Sequence, residues 1–102
     1  MSRVRLTDRA KTDLDGIWHY IGVSRRNLSA ADGYLSMLYD KLRLLSTQPL
    51  MGQTRDDLTL GLRTFAGGNY VILYYPMTDG IEVVGVVYGA QDVEAMFRTG
   101  NR

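Results

Sequence analysis

Among its 102 residues the chain has no cysteine and a single histidine. The first absence excludes disulfide scaffolds, thiol nucleophiles and thiolate metal sites. The second leaves too little imidazole for a histidine-built metal centre, so only carboxylate-held Mg or Ca stays open and no metal or other cofactor is expected. One sign of charge is not in excess either. Twelve Lys and Arg against eleven Asp and Glu give +1 with the histidine neutral, unlike proteins that grip nucleic acid through its phosphates. No direct sequence-specific nucleic-acid binding is expected. No window approaches the roughly 18 to 20 apolar residues of a membrane span. The start, Met1-Ser2-Arg3-Val4-Arg5, runs into Asp8, Arg9 and Lys11 without an apolar stretch, so a cytoplasmic location with no membrane partner is expected. Neither G-x-x-x-x-G-K-[ST] nor G-x-G-x-x-G occurs, which disfavours nucleotide-cofactor enzymes. What remains is ordinary globular composition, 45% hydrophobic and 23% charged, at a length that fits one domain over residues 1–102.

The periodicity orders the elements. Arg3-Val4-Arg5-Leu6 alternates with period two, as a short strand wet on one face does. Thr7 reads as an N-cap for an amphipathic helix over about 8–22, with Ala10, Leu14, Ile17, Trp18 and Ile21 on one face and Arg9, Asp13, Asp15 and His19 on the other. After a polar link at 22–28, Ser29 caps a second helix to about 46. Its stripe is Ala31, Leu35, Leu38, Leu42 and Leu45, widened by Tyr34 and Tyr39, and Pro49 ends it. The two helices form an antiparallel hairpin. Residues 49–61 read as a polar loop. Strands follow at 62–66, 70–75 (stopped by Pro76) and 81–88, joined by tight turns at 67–69 and 78–80. Residues 92–97 fit one or two helical turns before a polar tail at 98–102. The fold class is therefore α+β, in the order β-α-α-β-β-β, with the helical hairpin on one face of a mainly antiparallel sheet. Leu14, Ile17, Trp18, Leu35, Leu38 and Leu42 are the expected core.

The long strands are apolar on both faces, and one hairpin covers only one of them. Unbroken alternation places Val71, Leu73, Ile81, Val83 and Val87 toward the helices. It leaves Tyr70, Ile72, Tyr74, Val84, Val86 and Tyr88 on the second face, with Arg63 and Phe65 beside them. Such a patch fits a protein or peptide partner, a C-terminal segment folded back over it, or a second copy of the chain.

Catalytic groups are few. His19 with Asp15 one turn earlier fits a solvated helix pair better than an oriented base. Asp56-Asp57 fits a turn better than a cation site. Cleavage of RNA through its own 2′-OH needs a base, an acid and positive charge on the phosphorane. Arg63 supplies charge and Tyr74 or Tyr88 a proton, but no base stands beside them. No catalytic residue is assigned.

Five segments in order carry a resemblance: Leu6-Thr7-x-x-Ala10-x-x-Asp13-Leu14-x-x-Ile17-Trp18-x-Tyr20-Ile21; Pro49-x-Met51-Gly52; Gly61-Leu62-Arg63; Tyr70-x-Ile72-Leu73-Tyr74-Tyr75; and Asp79-Gly80-Ile81-Glu82-Val83-x-x-Val86. Over about its full length the chain resembles the ParE branch of the RelE/ParE toxin superfamily of bacterial toxin-antitoxin modules. The resemblance implies the same hairpin-plus-sheet fold and a cytoplasmic, growth-inhibiting toxin without catalytic activity. It further implies DNA gyrase as target and a ParD-like antitoxin that binds the toxin through an extended, largely apolar contact, making a hetero-oligomer. The alternatives it leaves are a RelE-like, ribosome-dependent mRNA endonuclease and a non-toxic module that only binds antitoxin. The lysines of RelE-type relatives are missing here. Tyr88 and Gln91 stand where the commoner ParE-like ending has histidine and arginine.

Overall fold

The computed structural model describes residues 2–100, with the side chains in that span other than those of Gln91 and residues 98–100. Of the expected polar tail at 98–102, those side chains and residues 101 and 102 lie outside the described residues.

Strand β1, Arg3–Leu6, alternates as its sequence demands. Val4 and Leu6 pack against the core, while Arg3 and Arg5 stay exposed and pair with Asp79 at 3.6 and 3.5 Å. The Thr7 hydroxyl accepts the Ala10 N–H at 3.1 Å and opens helix α1, Asp8–His19, which buries Ala10, Leu14 and Ile17. The helix does not continue as a regular α-helix to 22. A π-helical turn, Tyr20–Ser24, replaces its last part: the Arg25 N–H reaches the Tyr20 carbonyl at 3.1 Å and the Asn27 N–H that of Gly22 at 3.0 Å, both five residues back. Helix α2, Leu28–Thr47, starts earlier than expected. Its cap is Asn27, whose side-chain oxygen accepts the Ala30 N–H at 3.0 Å, and not Ser29.

Residues 49–61 contain more order than their composition suggests. A 3₁₀ turn, Pro49–Met51, leads into a two-residue strand β2, Gln53–Thr54, which pairs antiparallel with β3, Arg63–Gly67. Strands β4, Tyr70–Met77, and β5, Gly80–Tyr88, complete a five-stranded sheet in the order β1-β5-β4-β3-β2. Only β1 runs parallel to its neighbour, because the helical hairpin carries the chain across the sheet between them. Pro76 does not stop β4. The last β3 pair is Arg63↔Tyr74, so beyond it β4 has an open edge where a residue lacking an N–H is tolerated.

One irregularity decides which side chains face the helices. Leu73 pairs with Gly85 and Tyr74 with Val83, so Val84 is an extra residue in β5 and the alternation inverts there. Ile81 and Val83 before the bulge, and Val86 after it, all join Ile72 and Tyr74 in the core beneath the hairpin, against Leu14, Leu38, Leu42 and Leu45. The expected assignment by unbroken alternation is thus corrected. On β4 the even-numbered residues face the helices, and Val71, Leu73 and Val87 face away. Period-two patterning fixes which residues share a face but carries no sign, and a bulge is invisible to it.

The second face is covered by the chain itself. Helix α3, Gly89–Gly100, longer than the one or two turns expected, lays Val93, Met96 and Phe97 over Leu73, Val87 and Leu62, with Val84 among them. Two core expectations also shift. Trp18 is only half-buried and donates its indole N–H to Asp32 at 2.9 Å, tying α1 to α2 at the rim of the hairpin without filling the core. Leu35 is half-buried and packs against the core from outside.

Candidate functional site

The least ordinary backbone gathers at one corner, where the link between the helices meets the β3–β4 turn. π-helical turns are rare and recur at functional sites. Two residues beyond this one, Arg26 holds a left-handed φ of 55°, the one such non-glycine among the described residues, a strain that persists only where its surroundings impose it. Across from it, Gly68 opens the two-residue β3–β4 loop at φ 62°. A Cβ there would come within 2.2 Å of the Tyr34 hydroxyl, so the loop requires glycine for both reasons.

Between link and turn lies a groove of about 690 Å³. Tyr20, Arg25 and Tyr34 stand on the hairpin side and Asn69, Tyr70 and Tyr88 on the sheet side. The rings are ordered. Tyr34 meets Tyr70 at 5.7 Å and 76°, and Tyr70 meets Tyr88 at 5.4 Å and 77°, both edge to face. The Tyr34 hydroxyl accepts the Asn69 N–H at 2.9 Å, locking the ladder to the turn. Burial, and the facing hydroxyls of Tyr34, Tyr20 and Tyr88, push the Tyr70 phenol above its ordinary range. Tyr70 therefore offers a neutral hydroxyl. Tyr20 and Tyr88 are 53% and 61% exposed, so both rings are open to a ligand. Arg25 is the one charged lining residue, exposed and without an ion pair among the described residues.

The eight residues expected to form a partner face are not on one free face. Ile72, Tyr74 and Val86 are buried under the hairpin, and Phe65 packs against the same core with Lys41 over its ring. Val84 lies under α3. Tyr70 and Tyr88 alone reach the groove. The Gln91 side chain lies outside the described residues. Arg63 and Tyr74 are spent on structure: the Arg63 guanidinium donates to the carbonyls of Leu50 at 2.9 Å and Gly52 at 2.8 Å. The Tyr74 hydroxyl accepts from the Gly52 N–H and donates to the Pro49 carbonyl, both at 2.8 Å. Arg63→Ala is expected to cost about 1.5–3 kcal/mol, as loss of charge-assisted hydrogen bonds does. Urea unfolding of the folded variant measures it.

The residues weighed for catalysis or cation binding stand at separate places in the fold. His19 is exposed at the end of α1, edge-on to Trp18 at 5.3 Å. Asp56 accepts the Gly61 N–H at 2.8 Å and Asp57 pairs with Arg55 at 2.9 Å, as loop formers do. Among the described residues no three His, Cys, Asp or Glu side chains converge on a metal position. Burial also pushes the Tyr74 phenol up, against the opposing pull of the Gly52 N–H and Arg63. Unfolded tyrosines ionise near pH ~10. Tyr70 and Tyr74 resist ionisation in the fold, so their contribution is complete below that pH and is lost as pH rises through the folded values. Unfolding midpoints should fall above pH ~10, and less steeply in Tyr74→Phe.

Sequence reasoning missed Tyr20, Arg25, Tyr34 and Asn69 as site residues. Tyr34 read as a widening of a helical stripe, and the other three come from segments whose proximity only the hairpin and the sheet create. The available signal was an excess of tyrosine: seven in 102 residues.

The fold itself, a helical hairpin on a mixed five-stranded sheet, occurs in another solved structure. A solved structure described as the chromosomal ParDE TA system from P. aeruginosa shares it, with a TM-score of 0.70 over 88% of this chain and 98% of that one, at 18% identity. The chain belongs to the ParE toxin family of type II toxin-antitoxin systems, parDE, whose family model matches residues 4–93. It is 32% identical over 95 residues to Toxin ParE1 of Caulobacter vibrioides, covering 93% of this chain and 97% of that protein. Among the described residues no helix is long and apolar enough to cross a membrane.

Proposed function

We propose that this toxin acts in the cytoplasm on DNA gyrase, without covalent chemistry of its own, and is held inactive in a hetero-oligomer with a cognate ParD-like antitoxin. The family match over residues 4–93 carries the reading, supported by a relative named as a toxin and by a structural neighbour described as a toxin-antitoxin system. The competing ribonuclease reading is weakened by one observation. Arg63, its proposed phosphorane clamp, is already engaged by the Leu50 and Gly52 carbonyls.

Induced expression in bacteria should arrest growth, and co-expression of the adjacent antitoxin should restore it. Purified toxin should inhibit supercoiling by gyrase and accumulate cleaved DNA. Harmless expression of the folded protein would sink the toxin reading. Growth arrest with intact gyrase activity and messages cut in the ribosomal A site would replace gyrase with the ribosome.

A further inference from the structure

Resting on the reading of gyrase as the target, we infer that the 3₁₀ turn Pro49–Met51 is the toxin's target-facing anchor: Leu50 enters an apolar pocket of the target protein, and the cleft beside Met51 receives an uncharged apolar side chain in return. Much of the local structure serves to hold this turn. Four hydrogen bonds to the Arg63 and Tyr74 side chains fix the Pro49 and Leu50 carbonyls and both the N–H and the carbonyl of Gly52. Yet none of the three turn residues is itself buried, and Leu50 stands 70% exposed with Met51 at 37%. A turn that adds nothing to the core but is clamped from beneath presents its side chains in a fixed direction before anything binds. Such preorganisation lowers the ordering cost of association.

Beside the anchor lies a concavity. A cleft of about 430 Å³ runs between β2 and α3, with Met51 and Gln53 on one wall, Val93 on the other, and Thr64, Ala66 and Val71 along its floor. Met51 lines both this cleft and the shallow depression that it shares with Pro49 and Leu50. Knob and hole therefore form one continuous strip.

Charge selects the occupant. Arg55 is the one charged lining residue of the cleft among the described residues. Its guanidinium is held by the Asp57 carboxylate at 2.9 and 3.0 Å, and Glu94 on α3 adds a second negative charge acting on it. A cleft whose cation is already neutralised offers a nucleic-acid backbone no counter-charge and suits an uncharged protein surface. A second copy of the chain is the poorer protein partner. Two partly exposed apolar side chains and one cleft fall short of the roughly 800 Å² per partner that a stable pair of copies buries, whereas a single anchor seated in a preformed pocket can carry much of a binding energy.

The strip is remote from the tyrosine groove. Arg63 pairs with Tyr74 at one end of β3 and Gly67 with Tyr70 at the other, a separation of about 13 Å along the strand. Substitutions in the strip therefore act on one surface without disturbing the other.

The test is inhibition of plasmid supercoiling by gyrase with the full-length toxin, alongside calorimetry with the antitoxin encoded beside it. Leu50→Ser removes the anchor, and Ala66→Tyr fills the cleft from an exposed strand position where an aromatic residue suits the backbone. Both should keep the parent's melting temperature within a few degrees, as surface substitutions do. Each should weaken inhibition of gyrase about tenfold or more and leave antitoxin affinity within about twofold, while Leu50→Met should stay within about threefold of the parent in both assays. Val23→Asp, which changes a residue 56% exposed in the π-helical turn, should leave inhibition within about twofold.

Inhibition by the parent that Leu50→Ser and Ala66→Tyr, both folded, reproduce within about twofold would overturn the anchor and leave the gyrase reading standing. No inhibition by the parent would remove both. Equal loss of antitoxin binding in Leu50→Ser would assign the strip to the antitoxin instead. Self-association of the toxin that Leu50→Ser abolishes would assign it to a second copy. Binding of a single-stranded oligonucleotide, lost in Arg55→Ala, would assign the cleft to nucleic acid.

Discussion

Tyr74→Ala is expected to lower stability by about 3–5 kcal/mol, the range for truncating a buried aromatic residue. That is a large part of the roughly 5–15 kcal/mol available to a domain of this kind. The ring is fully buried among the residues under the hairpin, and its hydroxyl bridges the Gly52 N–H and the Pro49 carbonyl. The two contributions separate experimentally. Tyr74→Phe keeps the ring but leaves the buried Gly52 N–H without a partner, at an expected cost of about 1–3 kcal/mol.

Gly52 reports on the same clasp from the other side. A Cβ at that position would lie 2.4 Å from the Tyr74 hydroxyl, 2.8 Å from its ring and 2.9 Å from the Thr64 carbonyl. Gly52→Ala should therefore destabilise strongly. Tyr74→Phe should cost less in the Gly52→Ala background than alone, because removing the hydroxyl removes the closest clash. Urea unfolding of the four proteins gives the coupling. Additive effects, or a Tyr74→Phe change within about 0.5 kcal/mol, would show that the clasp does not hold the 3₁₀ turn.

Asp13→Ala should produce the second large loss, about 1.5–3 kcal/mol. The irregular register leaves the Val86 N–H to be satisfied outside the ladder, and the Asp13 carboxylate accepts it at 3.0 Å across the gap from α1. Arg9, one turn earlier, donates to both carboxylate oxygens at 3.0 and 3.1 Å and orients them. Asp13 is thus the contact through which α1 recognises the bulge. Asn at this position keeps an acceptor of similar shape, so Asp13→Asn should retain more stability than Asp13→Ala. Amide exchange at Val86 provides the local check: it should accelerate in Asp13→Ala beyond what the global stability change accounts for. Unchanged protection there would mean that the carboxylate serves only its surface pair with Arg9.

Much of the fold was legible because its signals are local. The steps of four and three from Ala10 to Ile17 and from Ala31 to Leu45 define two helices whatever surrounds them. Thr7 and Pro49 mark an opening and a closing with side chains that act on their own backbone. The two hairpin turns are similarly self-contained: Gly68-Asn69 and Thr78-Asp79 connect strands whose β-propensity is already high.

The candidate site was legible only in part. Tyr70 and Tyr88 were singled out for the right chemical reason, as large rings with a polar end, but were assigned to a face that the protein covers with α3. Arg63 looked free because it is a charged residue beside apolar strands. Its partners are main-chain carbonyls, which have no sequence signature. Asp13 looked solvated because it lies on the polar side of α1, although that side meets β5 just past the bulge, at the Val86 N–H.

The sequence by itself determined the composition class, the helical hairpin, the apolar strands and the ordered motifs that mark a ParE-type chain, since each follows from spacing or residue type along the backbone. Tertiary structure alone decided which sheet face the hairpin covers, that α3 closes the other, and that four tyrosines and Arg25 meet in one groove. Those outcomes depend on one extra residue in β5 and on contacts between segments far apart in the chain, and a one-residue slip in a period-two strand reverses every side chain beyond it.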